Sequence, residues 1–122
     1  MTNRKQTIGA WGEEAASAYL SEQGYEILGR NIRTPHGEID LVARLGEAII
    51  FVEVRTWTSS LFARLEESIT PRKQSHMLAA AKDYTLLHGV DYWQIDGIAV
   101  EGKPGKQPVI NHFENVIDSE RK

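Results

Sequence analysis

Along the chain, apolar residues first recur at three- and four-residue spacing. Ile8, Trp11, Ala15, Ala16, Tyr19 and Leu20 fall on one side of a helix over Ile8 to Gln23, and Gly24 is a natural residue to follow the last turn. The pattern then changes period. Tyr25 to Arg33, Glu38 to Arg44 and Ala48 to Trp57 carry alternating and β-branched apolar residues, broken by Pro35-His36-Gly37 and Gly46-Glu47, and predict three strands. Helical spacing returns over Pro71 to His88, where Met77, Leu78, Ala81, Tyr84 and Thr85 share a side; Pro71 after Thr70 suits a first turn and Gly89 suits the stop. Two further strands are expected over Tyr92 to Val100 and Val109 to Val116, with the Gly-, Pro- and Lys-rich stretch from Glu101 to Pro108 as a loop. The order αβββαββ predicts a mixed α/β architecture, a central sheet flanked by helices. No repeat, linker or low-complexity tract divides residues 1–122, so a single domain is expected.

Where the acids fall on these strands carries the most information. If Gly46-Glu47 forms a two-residue hairpin turn, with glycine first as a type II′ turn prefers, Leu45 pairs with Ala48. Counting outward, Asp40 lies across from Glu53 and Glu38 across from Arg55, all four on one face because side chains alternate with period two. Opposed carboxylates with Cβ atoms about 4.5–5.5 Å apart repel. Glu53 also interrupts Ile49-Ile-Phe-Val-Glu-Val54, a run that otherwise excludes charge. A divalent cation held by both acids would offset repulsion and desolvation together, and hard oxygen ligands point to Mg2+ or Mn2+. The competing reading is a solvated strand face with a weak Glu38–Arg55 pair, or a register slipped by one residue. A third acid favours the first. Gly9, Glu13, Ala16 and Leu20 form one ridge of the first helix with Gly12 close by, so small residues would let the helix approach the sheet and bring Glu13 to the site. Glu14 fits the simpler role of an acid near a helix N-terminus.

Composition changes this picture in two respects. Fourteen Lys and Arg against seventeen Asp and Glu leave a formal net charge of -3, which argues mildly against a nucleic-acid or acidic-membrane partner. Cations bound at Glu13, Asp40 and Glu53 would offset those acids and make that surface attractive to phosphate. The absence of cysteine excludes disulfides, thiolate zinc sites, iron–sulfur clusters and a cysteine nucleophile. His36, His76, His88 and His112 have no zinc-site spacing. No apolar run approaches the ~18 residues of a membrane span, and Met1 to Gly12 lacks the apolar stretch of a signal peptide, so a cytoplasmic location with no membrane partner is expected.

Gly9-Ala-Trp-Gly-Glu-Glu-Ala-Ala16, Arg30-Asn31, Gly37-Glu-Ile-Asp-Leu41, Phe51-Val-Glu-Val-Arg55 and Lys73-Gln74 resemble, block by block and in order, the YraN-type (UPF0102) family of small bacterial proteins. That family is similar to the PD-(D/E)XK nuclease superfamily, nearest to archaeal Holliday-junction resolvases. The resemblance implies a restriction-endonuclease-like (resolvase-like) fold and Mg2+- or Mn2+-dependent hydrolysis of phosphodiester bonds; DNA, branched or flapped, is the expected substrate, with RNA and linear DNA left open by these residues. It implies Asp40 and Glu53 as the motif's two acids and metal ligands, Glu13 as a helical acid ligand and the backbone carbonyl of Val54 as a further ligand. Gln74 is implied to orient water or phosphate.

Arg55 stands where the motif has lysine. An arginine stays protonated, so it can hold phosphate or stabilise developing charge but cannot abstract a proton. If the lysine's duty is electrostatic, Arg55 serves; if it is proton abstraction, the chain is a nucleic-acid-binding module with weak or no activity. A protein-interaction domain with incidental acids is the third reading. A homodimer and a monomer are both compatible with the resemblance.

Arg30, Arg33, His36, Arg64, Arg72, Lys73 and Lys82 are the candidates for nucleic-acid contact, Arg72 and Lys73 foremost because they open the helix after the acid-bearing strand. Asp96 matches an acid that recurs in the family's corresponding strand and is read as structural or as shaping the site. Trp11, Trp57 and Trp93 are placed beside apolar runs, which favours the core over base stacking.

Overall fold

A computed structural model describes residues 4–57 and 69–117, so Arg64 lies outside the described residues. The elements are α1 (Arg4–Glu22), β1 (Glu26–Thr34), β2 (Gly37–Leu45), β3 (Ala48–Trp57), α2 (Pro71–His88), β4 (Trp93–Glu101) and β5 (Val109–Phe113), in the expected order αβββαββ. They build one five-stranded sheet in the order β1-β2-β3-β4-β5. β1–β2, β2–β3 and β4–β5 pair antiparallel, whereas β3 and β4 run parallel across the connection that contains α2. A parallel pair needs such a crossover.

Local chemistry sets the element ends. Thr70 caps α2 by accepting the Lys73 N–H at 3.2 Å, and Pro71 takes the first turn, where a missing N–H costs nothing. Gly89 closes the helix in the left-handed region at φ 63, its N–H bonding to Thr85 O. Gly46, at φ 62, allows the tight β2–β3 turn, and Leu45 pairs with Ala48 as the turn chemistry requires. Two boundaries differ from the expected ones by more than one residue. α1 starts at Arg4 rather than Ile8, and β5 stops at Phe113 because Asn115, left-handed at φ 52, turns the chain back so that the Val116 N–H bonds Ile95 O.

β3 is buried on both faces, which explains its nearly continuous apolar run. Ile50 and Val52 join Ala16 and Leu20 of α1, Leu41, Ala43, Ile98 and Val100 in one core. Ile49 and Phe51 join Ala80 and Ala81 of α2, Val42 and Ile95 in the other. Fully burying a Leu or Ile in such layers stabilises by about 1.5–3 kcal/mol. Trp11, Trp57 and Trp93 pack against these cores, which answers the choice between core and base stacking in favour of the core. Among the described residues, no helix is long and apolar enough to cross a membrane.

Candidate functional site

The site forms where β2 and β3 part. Their ladder runs from Leu45↔Ala48 to Leu41↔Val52 and goes no further, so Asp40 and Glu53 are the next residues in register. There the Asp40 side chain takes over a strand-pairing role: its Oδ2 accepts the backbone N–H of Val54 at 2.9 Å. Asp40 is half-buried and Glu53 is buried, only 5 % exposed, and both line a small cavity with Glu38, Phe51, Met77 and Ile95.

Asp40 and Glu53 stand close enough that each alters the ionisation of the other. Burial, and after it the Asp40 charge, pushes the Glu53 carboxyl up to about 7. Burial also raises Asp40 above the usual carboxylate range, against the lowering pull of the Val54 N–H and of Lys73. The two acids are thus neighbours, with Glu53 buried and Asp40 half-buried rather than both solvated.

Two cations answer Glu53. Arg55 Nη2 lies 3.2 Å and Lys73 Nζ 3.5 Å from Glu53 Oε2, and each side chain is about one-third exposed. Arg55 stands on the same strand face as Glu53, two residues on; Lys73 comes from the first turn of α2, where a cation opposes the helix dipole. Its placement there is offset by Glu53. The Arg55 Nε is buried and has no hydrogen-bond partner among the described residues.

The expected Glu38–Arg55 pair does not form. The β2–β3 ladder ends before it, and Glu38 instead stands opposite Arg33 on β1, its carboxylate 3.8 Å from that guanidinium.

α1 brings the third acid near. Gly12, rather than Gly9, is the point of close approach: a Cβ at Gly12 would overlap Thr56 Oγ1 and lie 3.1 Å from Thr56 Cβ, whereas Gly9 has open space around it. One residue on, Glu13 accepts a hydrogen bond from Asn31 Nδ2 at 3.3 Å. Burial, then the neighbouring Asp40 charge, raises the Glu13 carboxyl above its ordinary value. Glu14 points elsewhere, paired with Arg30 at 2.8 Å, which holds its carboxyl below the ordinary range.

Other candidates have other partners. Gln74 Nε2 donates to Ile69 O at 3.1 Å, a contact that secures the start of α2. Arg72 and Lys82 are exposed on α2, and His36 is tied to Asp83 at 2.8 Å. Asp96 is wholly buried on β4. Its Oδ1 accepts Gln94 Nε2 and the Asn115 N–H, both at 2.8 Å, and its Oδ2 lies 2.7 Å from His112 Nε2. It brackets β5 to β4 and so is structural. Among the described residues no group of three or more His, Cys, Asp or Glu is arranged to hold a metal ion, so the acid centre is the Asp40–Glu53 pair with Glu13 outside it.

Sequence reasoning placed Lys73 at a nucleic-acid surface and overlooked its contact with Glu53; the wrong-sign charge in a helix's first turn was the available signal. The role of Asn31 was missed as well; asparagine inside a strand, where it is depleted, was the available signal.

Residues 12–100 match the model of the uncharacterised protein family UPF0102. A UPF0102 protein of Syntrophomonas wolfei is 49% identical over 112 residues, covering 90% of this chain and 96% of its own. Those of Anaeromyxobacter dehalogenans and Dehalococcoides mccartyi are 42% and 38% identical, over 95% and 97% of this chain and 87% and 98% of theirs. Among solved structures, Pyrococcus furiosus SfsA in complex with Ca2+ aligns with a TM-score of 0.40 and 13% identity, over 87% of this chain and 61% of that one. With the family model spanning most of the chain and relatives alike along nearly all of it, the protein belongs to the UPF0102 family.

Proposed function

We propose that this protein is a metal-dependent nuclease that hydrolyses phosphodiester bonds in DNA, branched or flapped DNA being the expected substrate. The observation that carries the reading is the buried Asp40–Glu53 pair set against Arg55 and Lys73, with the unsatisfied Arg55 Nε beside it. The donors fit a hard divalent cation. Two neighbouring carboxyls, Glu53 buried and Asp40 half-buried, both pushed above the usual carboxylate range, form a site that a cation would relieve of both repulsion and desolvation. Asp40 and Glu53 would hold Mg2+ or Mn2+, with the Val54 backbone alongside. Glu13 would act from outside that pair, through one of the waters that Mg2+ retains.

When bound, the ion would polarise a phosphoryl oxygen and lower the pKa of a coordinated water. The chain's own residues supply the rest. Asp40 is oriented by the Val54 N–H. Arg55, always protonated and about one-third exposed, can present its guanidinium to a phosphate oxygen and would stabilise charge that develops there. Lys73, held at the same carboxylate, adds a second positive charge at the mouth of the site. Arg30 and Arg33 are engaged by Glu14 and Glu38, so phosphate contact by either means exchanging a partner, whereas Arg72 is exposed next to Lys73.

The test uses junction, flap and linear DNA with Mn2+. Cutting of one of these by the wild-type protein, abolished by Asp40→Ala and by Glu53→Ala, is the expected result; no cutting across DNA and RNA panels would refute the enzyme reading. Arg55 sustains one alternative, a nucleic-acid-binding module that does not cut. Activity gained in Arg55→Lys would favour it for the natural chain, and activity lost would show that the guanidinium works as it stands.

A further inference from the structure

Building on the nuclease reading, we infer that Asn31 is a positioning residue of the acid centre: its left-handed backbone turns the β1–β2 pair, and its amide holds Glu13 next to Asp40.

Asn31 lies inside β1 yet has φ 49, a conformation rare for any residue but glycine and most tolerated by Asn and Asp. It is flanked by the pairs Arg30↔Leu41 and Ile32↔Ile39, so its register position is across from Asp40. The two strands change face at this point. Leu41 belongs to the core under α1, and Arg30 reaches Glu14 of α1, whereas Ile39 is in the core under α2 with Ile32 packed against it. Residues two apart on an uninterrupted strand share a face, so Leu41 and Ile39 should not be divided in this way.

A second observation locates the same turn independently. A Cβ built at Gly29 would meet Ile32 Cδ1 at 2.7 Å, so two positions three apart crowd one another, as a regular strand does not allow. The consequence is local to the site. The turned hairpin carries Asp40 where β2 leaves β3, and the Asn31 amide on the opposing strand reaches Glu13 at 3.3 Å.

Glycine would satisfy the backbone more cheaply than asparagine. An aspartate would tolerate the backbone but set a third carboxylate against Glu13 and Asp40. Asparagine alone of the three combines left-handed tolerance with a neutral hydrogen-bond donor.

Asn31→Gly separates these roles, since it keeps the backbone and deletes the amide. Thermal unfolding without metal should be nearly unchanged, while Mn2+ affinity measured by titration calorimetry should fall about tenfold, as for lost partners of metal-binding groups. In a Glu13→Ala background, Asn31→Gly should bring no further loss. Wild-type Mn2+ affinity in Asn31→Gly, an equal loss with Glu13 absent, or a collapse of the metal-free melting temperature would each overturn the inference while leaving the nuclease reading intact. Failure of the wild-type protein to bind Mn2+ would overturn both.

Discussion

A buried glutamate that is hard to ionise should make this protein less stable as pH rises, and its removal should reverse the trend. In the fold the Glu53 carboxyl sits at about 7, against a reference of 4.5, first because burial disfavours the charge and second because Asp40 is beside it. Between those values the folded protein retains a proton that the unfolded chain has released. Stability therefore falls as pH climbs through that window, and the full loss is present above it. The gap corresponds to about 3 kcal/mol, with the attractions of Lys73 and Arg55 already included. Glutamine has nearly the same shape and cannot ionise, and the partly exposed Arg55 and Lys73 can turn to water. Glu53→Gln should match the wild type near pH 4.5 and exceed it by about 2–3 kcal/mol at pH 8, roughly 4 °C in Tm per kcal/mol for a chain of this size. Thermal and urea unfolding from pH 4.5 to 8.5 in a chelating buffer measure the difference, which cancels contributions from groups that do not interact with Glu53. A Glu53→Gln variant no more stable than wild type at pH 8 would refute the account of the site as electrostatically unsatisfied. Mn2+ at pH 8 should raise the wild-type Tm and leave that of Glu53→Gln far less changed.

Two further perturbations test how the scaffold presents the site. Gly12→Ala puts a methyl group into Thr56, whose branched side chain meets it with three atoms, so a loss of about 1–2 kcal/mol should outweigh the gain in helix propensity; Thr56→Ala should restore most of it, and additive effects in urea unfolding would contradict the contact. Asp96→Ala strands the donors of Gln94, His112 and Asn115 in a buried site and should cost about 2–4 kcal/mol; a wild-type urea midpoint would show that Asp96 does not bracket β5.

The strands, both helices and the β2–β3 register were open to local reasoning because each is set by nearby residues. Gly46-Glu47 fixes the turn, the turn fixes Leu45 opposite Ala48, and counting from there puts Asp40 and Glu53 next in line. The same counting failed two residues later. It assumed that the strands stay paired, whereas the ladder stops at Leu41↔Val52 and Glu38 turns to Arg33. What ends the pairing is a property of three strands together: Asn31 on β1 interrupts the alternation, and the Asp40 carboxylate replaces a backbone acceptor for Val54. Nothing within β2 or β3 alone announces it.

Charge was the least local quantity of all. Counted over the chain, a net charge of -3 speaks against a phosphate-bearing partner, yet on the surface Glu14 and Glu26 each carry an arginine of their own and Asp83 a histidine. The acid centre differs from those pairs in being buried and in drawing two cations to one carboxylate oxygen, Glu53 Oε2. That concentration has a physical reading. A surface carboxylate is satisfied by water and needs neither partner, whereas burial makes the Asp40–Glu53 pair costly until positive charge is supplied. Arg55 and Lys73 supply it incompletely, since Glu53 remains near 7 with both in place. The residual demand for a cation is thus a property of the folded arrangement, and it is what distinguishes this site from the many acidic residues that the same composition leaves in water.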